Sequence, residues 1–318
     1  MGESQKMNNT IIEAKIVFKK HIWTNYSNYK FVYESCIIDY MFICDDKDLN
    51  MLISINSTLS RENVWSVFVE LLDFLYLAFG TMPRIVYYKE NGTAKNLSNI
   101  LSRFLPSDQH FKSEHIIDVS EFTLNEKTLS DLKNIIRNKP FEIFWAFTAL
   151  TSTAYEHIYS EHKITLLLQC FEGYIYNTAS PGIDFKSRIS QIVNVLFDYD
   201  KQYNSEILST LSVSEEEYLN ILKDTRHQFS HYISKRNSLS QGQEYIINFI
   251  LLHYTFRIYL LTEIGIQPNE KNIEEFFKSI YDWINVLKNP NFNNFKSVAY
   301  SMNFVLKQLN NTKDKGEL

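Results

Sequence analysis

Arg226-His227-Gln228-Phe229-Ser230-His231 lies inside a run, 215–232, that the spacing predicts to be one helix, opened by a capping box of Ser214 and Glu217. The hexapeptide sets an always-protonated guanidinium and an imidazole that titrates near neutrality five residues apart. With these two groups a protein can cleave RNA without a metal ion. Eight arginines and eight histidines in 318 residues produce an Arg-x4-His match by chance roughly 0.2 times per chain, so the surroundings decide what it means. Five residues on an ideal helix turn through about 140°. Arg226 and His231 therefore converge only if the helix ends or distorts near Ser230, if the arginine bends round, or if a two-fold dimer sets two copies face to face.

Outward from the hexapeptide the pattern is helical from 125 onward, with helices expected at 125–138, 185–199, 243–264 and 272–287. The span 141–176 reads as one long apolar helix or a broken pair, after Pro140 in a tolerated first-turn position. Pro181-Gly182 marks the loop 177–184, residues 238–242 a flexible link, and Gly265 a helix stop.

The first third reads differently. Stretches 15–23, 30–44, 49–55 and 83–89 are rich in β-branched and aromatic residues and separated by turn formers. One helix interrupts them, Arg61 to Phe79, capped by Ser60 and stopped by Gly80, and Glu90-Asn91-Gly92 closes the last strand. Residues 93–124 are mixed, with 116–122 a further candidate strand. The expected fold class is α+β: a strand-rich domain, 1–124, followed by an all-α helical bundle, 125–318.

A net charge of −5 argues against a protein that coats nucleic acid with a broad basic surface. Locally the balance reverses: Lys223, Arg226, Lys235 and Arg236 against Asp224 give 4 − 1 = +3 between 223 and 236. Cys36, Cys44 and Cys170 form no CxxC pair and read as reduced, buried thiols of a cytoplasmic protein. His157 and His162, most simply helix-surface residues, lack ligand company, so no metal or other cofactor is expected. No signal peptide or apolar run of about 18 residues points to a membrane. The polar ends, 1–10 and 311–318, are expected to fray.

The stretch Leu166-Leu167-Leu168-Gln169-Cys170-Phe171-Glu172-Gly173-Tyr174 resembles the opening core helix of the HEPN domain of ApeA-type bacterial anti-phage defence proteins. Arg226 to His231 then resembles the Arg-x4-6-His signature of HEPN ribonucleases, and 243–264 the family's closing long helix. The likeness spans roughly 140–290. It implies an all-α domain that dimerises, metal-independent cleavage of RNA (tRNA among the candidates), and a role in abortive infection or as a toxin. The strand-rich segment would then sense a phage-derived trigger or hold the nuclease quiet. Carried over, Arg226 is the phosphate-binding and transition-state arginine and His231 the acid/base. His227 holds the position where the family often has Asn, Asp or His, and Glu172 is the first-helix acid shaping the groove. Apart from the resemblance, the local basic stretch offers Lys223, Lys235 and Arg236 as substrate-binding cations, with an ordinary solvated helix face as the alternative. HEPN toxins modified by a nucleotidyltransferase carry a tyrosine two residues after the histidine; here that residue is Ile233, with Tyr232 before it.

Other readings compete. A carboxylate in an apolar helix needs a partner, and Arg226 is the obvious one for Glu172, although a solvent-facing Glu172 is as plausible. Arg103 and His110 also fit the looser spacing, but Pro106 between them makes a chance match. His253 and Arg257, an i,i+4 pair, read foremost as an ordinary helix-surface pair and secondarily as lining the same groove. A non-catalytic HEPN-fold module that binds RNA, a nucleotide or a protein is the alternative of a different class.

Overall fold

The computed structural model describes residues 10–19, 28–44, 48–58, 60–80, 84–95, 116, 124–138, 146–148, 150, 160–176, 182–231, 239 and 242–288. Among the described residues six strands come first: β1 (Thr10–Lys19), β2 (Asn28–Tyr33), β3 (Cys36–Cys44), β4 (Asp48–Ser57), β5 (Arg84–Glu90) and β6 (Thr93–Ala94). They form one antiparallel sheet in the order β2-β3-β4-β1-β5-β6. Period-two alternation gives it one core face: Cys36, Ile38, Tyr40 and Phe42 of β3 are buried while Ile37 is exposed.

The stretch 30–44, expected as one strand, is two. Glu34 and Ser35 take φ of 47° and 62°, a two-residue hairpin with left-handed backbone at both positions, the twist that antiparallel strands require. With neither Asn nor Gly there, the turn carried no compositional signal. β1 starts at Thr10, inside the stretch expected to fray, because each of its residues has a partner on β4. Of the candidate strand 116–122, the described residues include only Ile116, in a bend.

α1 (Arg61–Phe79) has the expected bounds. Ser60 Oγ accepts from the Asn63 amide at 3.4 Å, and Gly80 closes the helix in the left-handed region with its amide donating to Tyr76 O. Every residue from Glu70 to Phe79 is buried, which a helix on the open side of a sheet would not show.

The cover comes from the helical region: α2 (Glu126–Asn138), α3 (Ser160–Tyr176), α4 (Phe185–Gln202), α5 (Ile207–Leu211), α6 (Glu215–His231), α7 (Gly242–Glu263) and α8 (Glu270–Lys288). α1 packs on β1 and β4 on one side and on α2 and α7 on the other. Leu150 lies in a turn, so 141–176 is not one continuous helix. The unanticipated α5 has no side-chain cap of its own. Its first amides are met instead by the Asp200 carboxylate, which accepts from Ile207 N at 3.0 Å and Leu208 N at 3.2 Å.

α7 is the axis of the helical region, packed against α3, α4, α1 and α8. It is long and apolar enough to cross a membrane, yet 89% of that apolar window is buried inside the protein, as expected of a helix that is apolar all round. His253 and Arg257 are therefore not on a helix surface. Both are fully enclosed where α7 meets α1. His253 Nε2 lies 2.5 Å from the Tyr76 hydroxyl and the ring stacks on Phe147, while Arg257 Nε donates to Leu77 O at 2.9 Å. Ile116 adds a backbone staple. Its amide donates to Ala78 O near the end of α1, and its carbonyl accepts from the amide of Asn269, whose side chain caps α8.

Candidate functional site

α3 and α4 follow one another in the chain and pack together, so that side chains near the end of the first meet side chains near the start of the second. Glu172 is one turn from the end of α3 and Arg188 is in the first turn of α4. α6 packs against both helices and brings Arg226 to the same place. Glu172 Oε2 accepts from Arg226 Nη2 at 2.8 Å and Oε1 from Arg188 Nη1 at 3.1 Å. The side chains keep 22%, 21% and 16% of their surface exposed for Glu172, Arg226 and Arg188, enough for a ligand to reach them. Each guanidinium also lies over an aromatic ring, Arg226 over Phe185 at 5.1 Å and Arg188 over Tyr176 at 4.8 Å.

One carboxylate between two guanidinium groups leaves a net charge of +1. Arg226 Nε and Ser230 Oγ are buried without a hydrogen-bond partner, so the hexapeptide carries unused donor capacity, which is costly to leave unmet.

α6 is fixed along its length. Ser214 and Glu217 form the reciprocal capping box: Glu217 N donates to Ser214 Oγ at 3.3 Å and Ser214 N to Glu217 Oε2 at 2.8 Å. These bonds hold the Glu217 carboxyl below its usual range. In the first turn, the Tyr218 hydroxyl donates to Asn248 Oδ1 of α7 at 2.6 Å. One residue before Arg226, buried Thr225 donates to Ile221 O and accepts from the Leu239 amide at 3.0 Å. Leu239, in the stretch expected to be a flexible link, is pinned again by the Tyr245 hydroxyl on its carbonyl.

The expected contact between Glu172 and Arg226 is thus present. His227 and Lys223 are half-buried on α6. Asp184, the cap of α4, has its carboxyl lowered first by the Ser187 amide and also by the charge of Lys223. His231 is placed on α6 by its backbone; its side chain, together with Lys235, Arg236, Tyr232 and Ile233, lies outside the described residues, as do Arg103, His110 and His157. His162 is exposed on α3, its ring 6.2 Å from that of Phe229.

Arg188 and Tyr176 escaped the sequence reading. A signal for Arg188 existed: in an antiparallel helix pair, residues equidistant from the loop face each other, so Glu172 called for a cation near 188. The Cys170 and Cys36 thiols offer no nucleophile, since burial pushes Cys170 up to about 12 and raises Cys36 as well; the Cys44 side chain lies outside the described residues. Among the described residues no three His, Cys, Asp or Glu side chains gather as metal ligands.

A family model described as Apea-like HEPN matches residues 166–270, which run from α3 to the start of α8 and contain every residue of this cluster. Neither a curated protein nor a solved structure matches the chain.

Proposed function

Because the C-terminal part of the chain is an ApeA-type HEPN domain, we propose that the protein is a metal-independent endoribonuclease whose reaction is carried by Arg226 and His231. The observation that carries this reading is Arg226 itself. It is held by Glu172 on one side, it is partly open to solvent, and it stands on the same helix as His231. In the reaction an RNA 2′-hydroxyl attacks the adjacent phosphorus as the P–O5′ bond breaks, leaving a 2′,3′-cyclic phosphate and a 5′-hydroxyl. Histidine takes the 2′-hydroxyl proton or gives one to the leaving oxygen, and Arg226 neutralises the charge growing on the non-bridging oxygens. The nucleophile belongs to the substrate, so DNA is not cut.

In this reading His227 supports the reaction, and Lys223, Lys235 and Arg236 draw in the RNA backbone by their charge. Two copies of α6 across a dimer axis would supply a histidine to each proton transfer. In the cell this reading is of a cytoplasmic toxin or abortive-infection defence protein, with the sheet as the sensing part and α1 its contact with α7. Full-length protein in EDTA should cleave total RNA, while Arg226→Ala and His231→Ala should each lose at least 100-fold in rate. Equal cleavage by the wild type and both variants would refute the assignment.

A second reading, a non-catalytic HEPN-fold module that binds RNA, is favoured by one observation: Glu172 already engages Arg226, whose Nε is buried. It predicts RNA binding that Arg226→Ala weakens, with no cleavage by the wild type.

A further inference from the structure

We propose that Tyr176 and Arg188 form a nucleotide-binding subsite next to Arg226, in which Tyr176 stacks a base of single-stranded RNA and Arg188 contacts the adjoining phosphate. The inference rests on the reading of Arg226 as the phosphate-binding arginine and names how the RNA is held there.

Tyr176 is the most exposed large apolar side chain among the described residues, with 60% of its surface open. It lies one helical turn beyond Glu172 on the same face of α3. A guanidinium, that of Arg188, occupies one side of its ring at 4.8 Å. Arg188 in turn shares the Glu172 carboxylate with Arg226 through contacts of 3.1 and 2.8 Å. Tyr176, Arg188, Glu172 and Arg226 thus form one continuous row. An open aromatic face lies at one end, the proposed scission arginine at the other, and the row as a whole carries +1. This is the pattern that single-stranded nucleic acid selects: an aromatic face for a base and fixed cations for the backbone. Arg188 behind the ring orients it and enriches the positive field on its near side. An exposed tyrosine on a chain of net charge −5 is otherwise poorly placed to draw in a polyanion, so the two arginines supply the complementarity.

The test uses full-length protein carrying His231→Ala, so that RNA stays intact, and a fluorescently labelled single-stranded RNA oligonucleotide of mixed sequence read by anisotropy. Tyr176→Ala should weaken binding about 5- to 100-fold and Tyr176→Phe hardly at all. An oligonucleotide with abasic positions should bind the parent and Tyr176→Ala alike. Arg188→Gln should flatten the slope of log K against log salt by about 0.7, one phosphate contact on a single strand. Melting curves and sedimentation accompany each variant.

Unchanged affinity for Tyr176→Ala would overturn the proposal. So would a loss equal on abasic RNA, or a loss explained by dissociation into monomers, which would make Tyr176 a dimer contact. Failure of the nuclease reading is separate: a wild type that never cleaves, yet whose binding depends on Tyr176 as stated, leaves the subsite standing.

Discussion

Glu172 decides how the candidate site holds together, because two guanidinium groups share its carboxylate. Glu172→Gln leaves Arg188 and Arg226 facing each other with no counter-charge. We expect a loss of about 1–3 kcal/mol, seen as a thermal midpoint several degrees lower; an unchanged midpoint would mean the pairs contribute nothing to folding. His253 gives a pH prediction. Burial, followed by the nearby charges of Arg257 and Lys163, holds its imidazole well below the ordinary 6.5. The folded chain keeps His253 neutral where the unfolded chain has already taken the proton. The stability contributed by neutral His253 is whole above about pH 6.5 and falls as the pH drops below it, by up to about 1.4 kcal/mol per unit. Denaturant titrations between pH 7.5 and 5 should show that slope in the wild type and a shallower one in His253→Gln.

At the scale of elements, what was legible in the sequence follows from which signals are local. Ser60 and Gly80 bound α1 to the residue, and Ser214 with Glu217 opened α6, because capping chemistry is written within four positions. Glu34-Ser35 could not be read as a hairpin, since its left-handed backbone is imposed by pairing of β2 with β3 and not by residue type. α5 was missed for a related reason: its cap is Asp200, contributed by the preceding helix. In the site, Glu172 and Arg226 were legible from their residue types, whereas Arg188 and Tyr176 became visible only once α3 and α4 were laid side by side. His253 and Arg257 misled because two polar residues at i,i+4 suggest an exposed face, and nothing nearby in sequence announces that α1 covers them. The capping box gives this scale its prediction: Ser214→Ala should cost about 0.5–2 kcal/mol, measured by denaturant unfolding, while Ser190→Ala on the outer part of α4 should cost little.

Across the whole molecule, α1 belongs to two cores at once. Tyr76 and Leu77 contact His253 and Arg257 of α7 while the opposite side of the helix covers β1 and β4. The sheet and the helical region should therefore unfold together, with tyrosine fluorescence and far-ultraviolet dichroism tracing one coincident transition; two separated transitions would show that the α1 contact is dispensable. The same contact links the sheet physically to α7, and through Tyr218 and Asn248 to α6. The most direct test of the central claim is the end chemistry of RNA cut by the full-length protein in EDTA. The account predicts fragments ending in 2′,3′-cyclic phosphate, no cut where the nucleotide 5′ to the scissile bond is 2′-deoxy, and no fragments from Arg226→Ala or His231→Ala. Cleavage that survives the 2′-deoxy substitution, or that both variants perform at the wild-type rate, would contradict it.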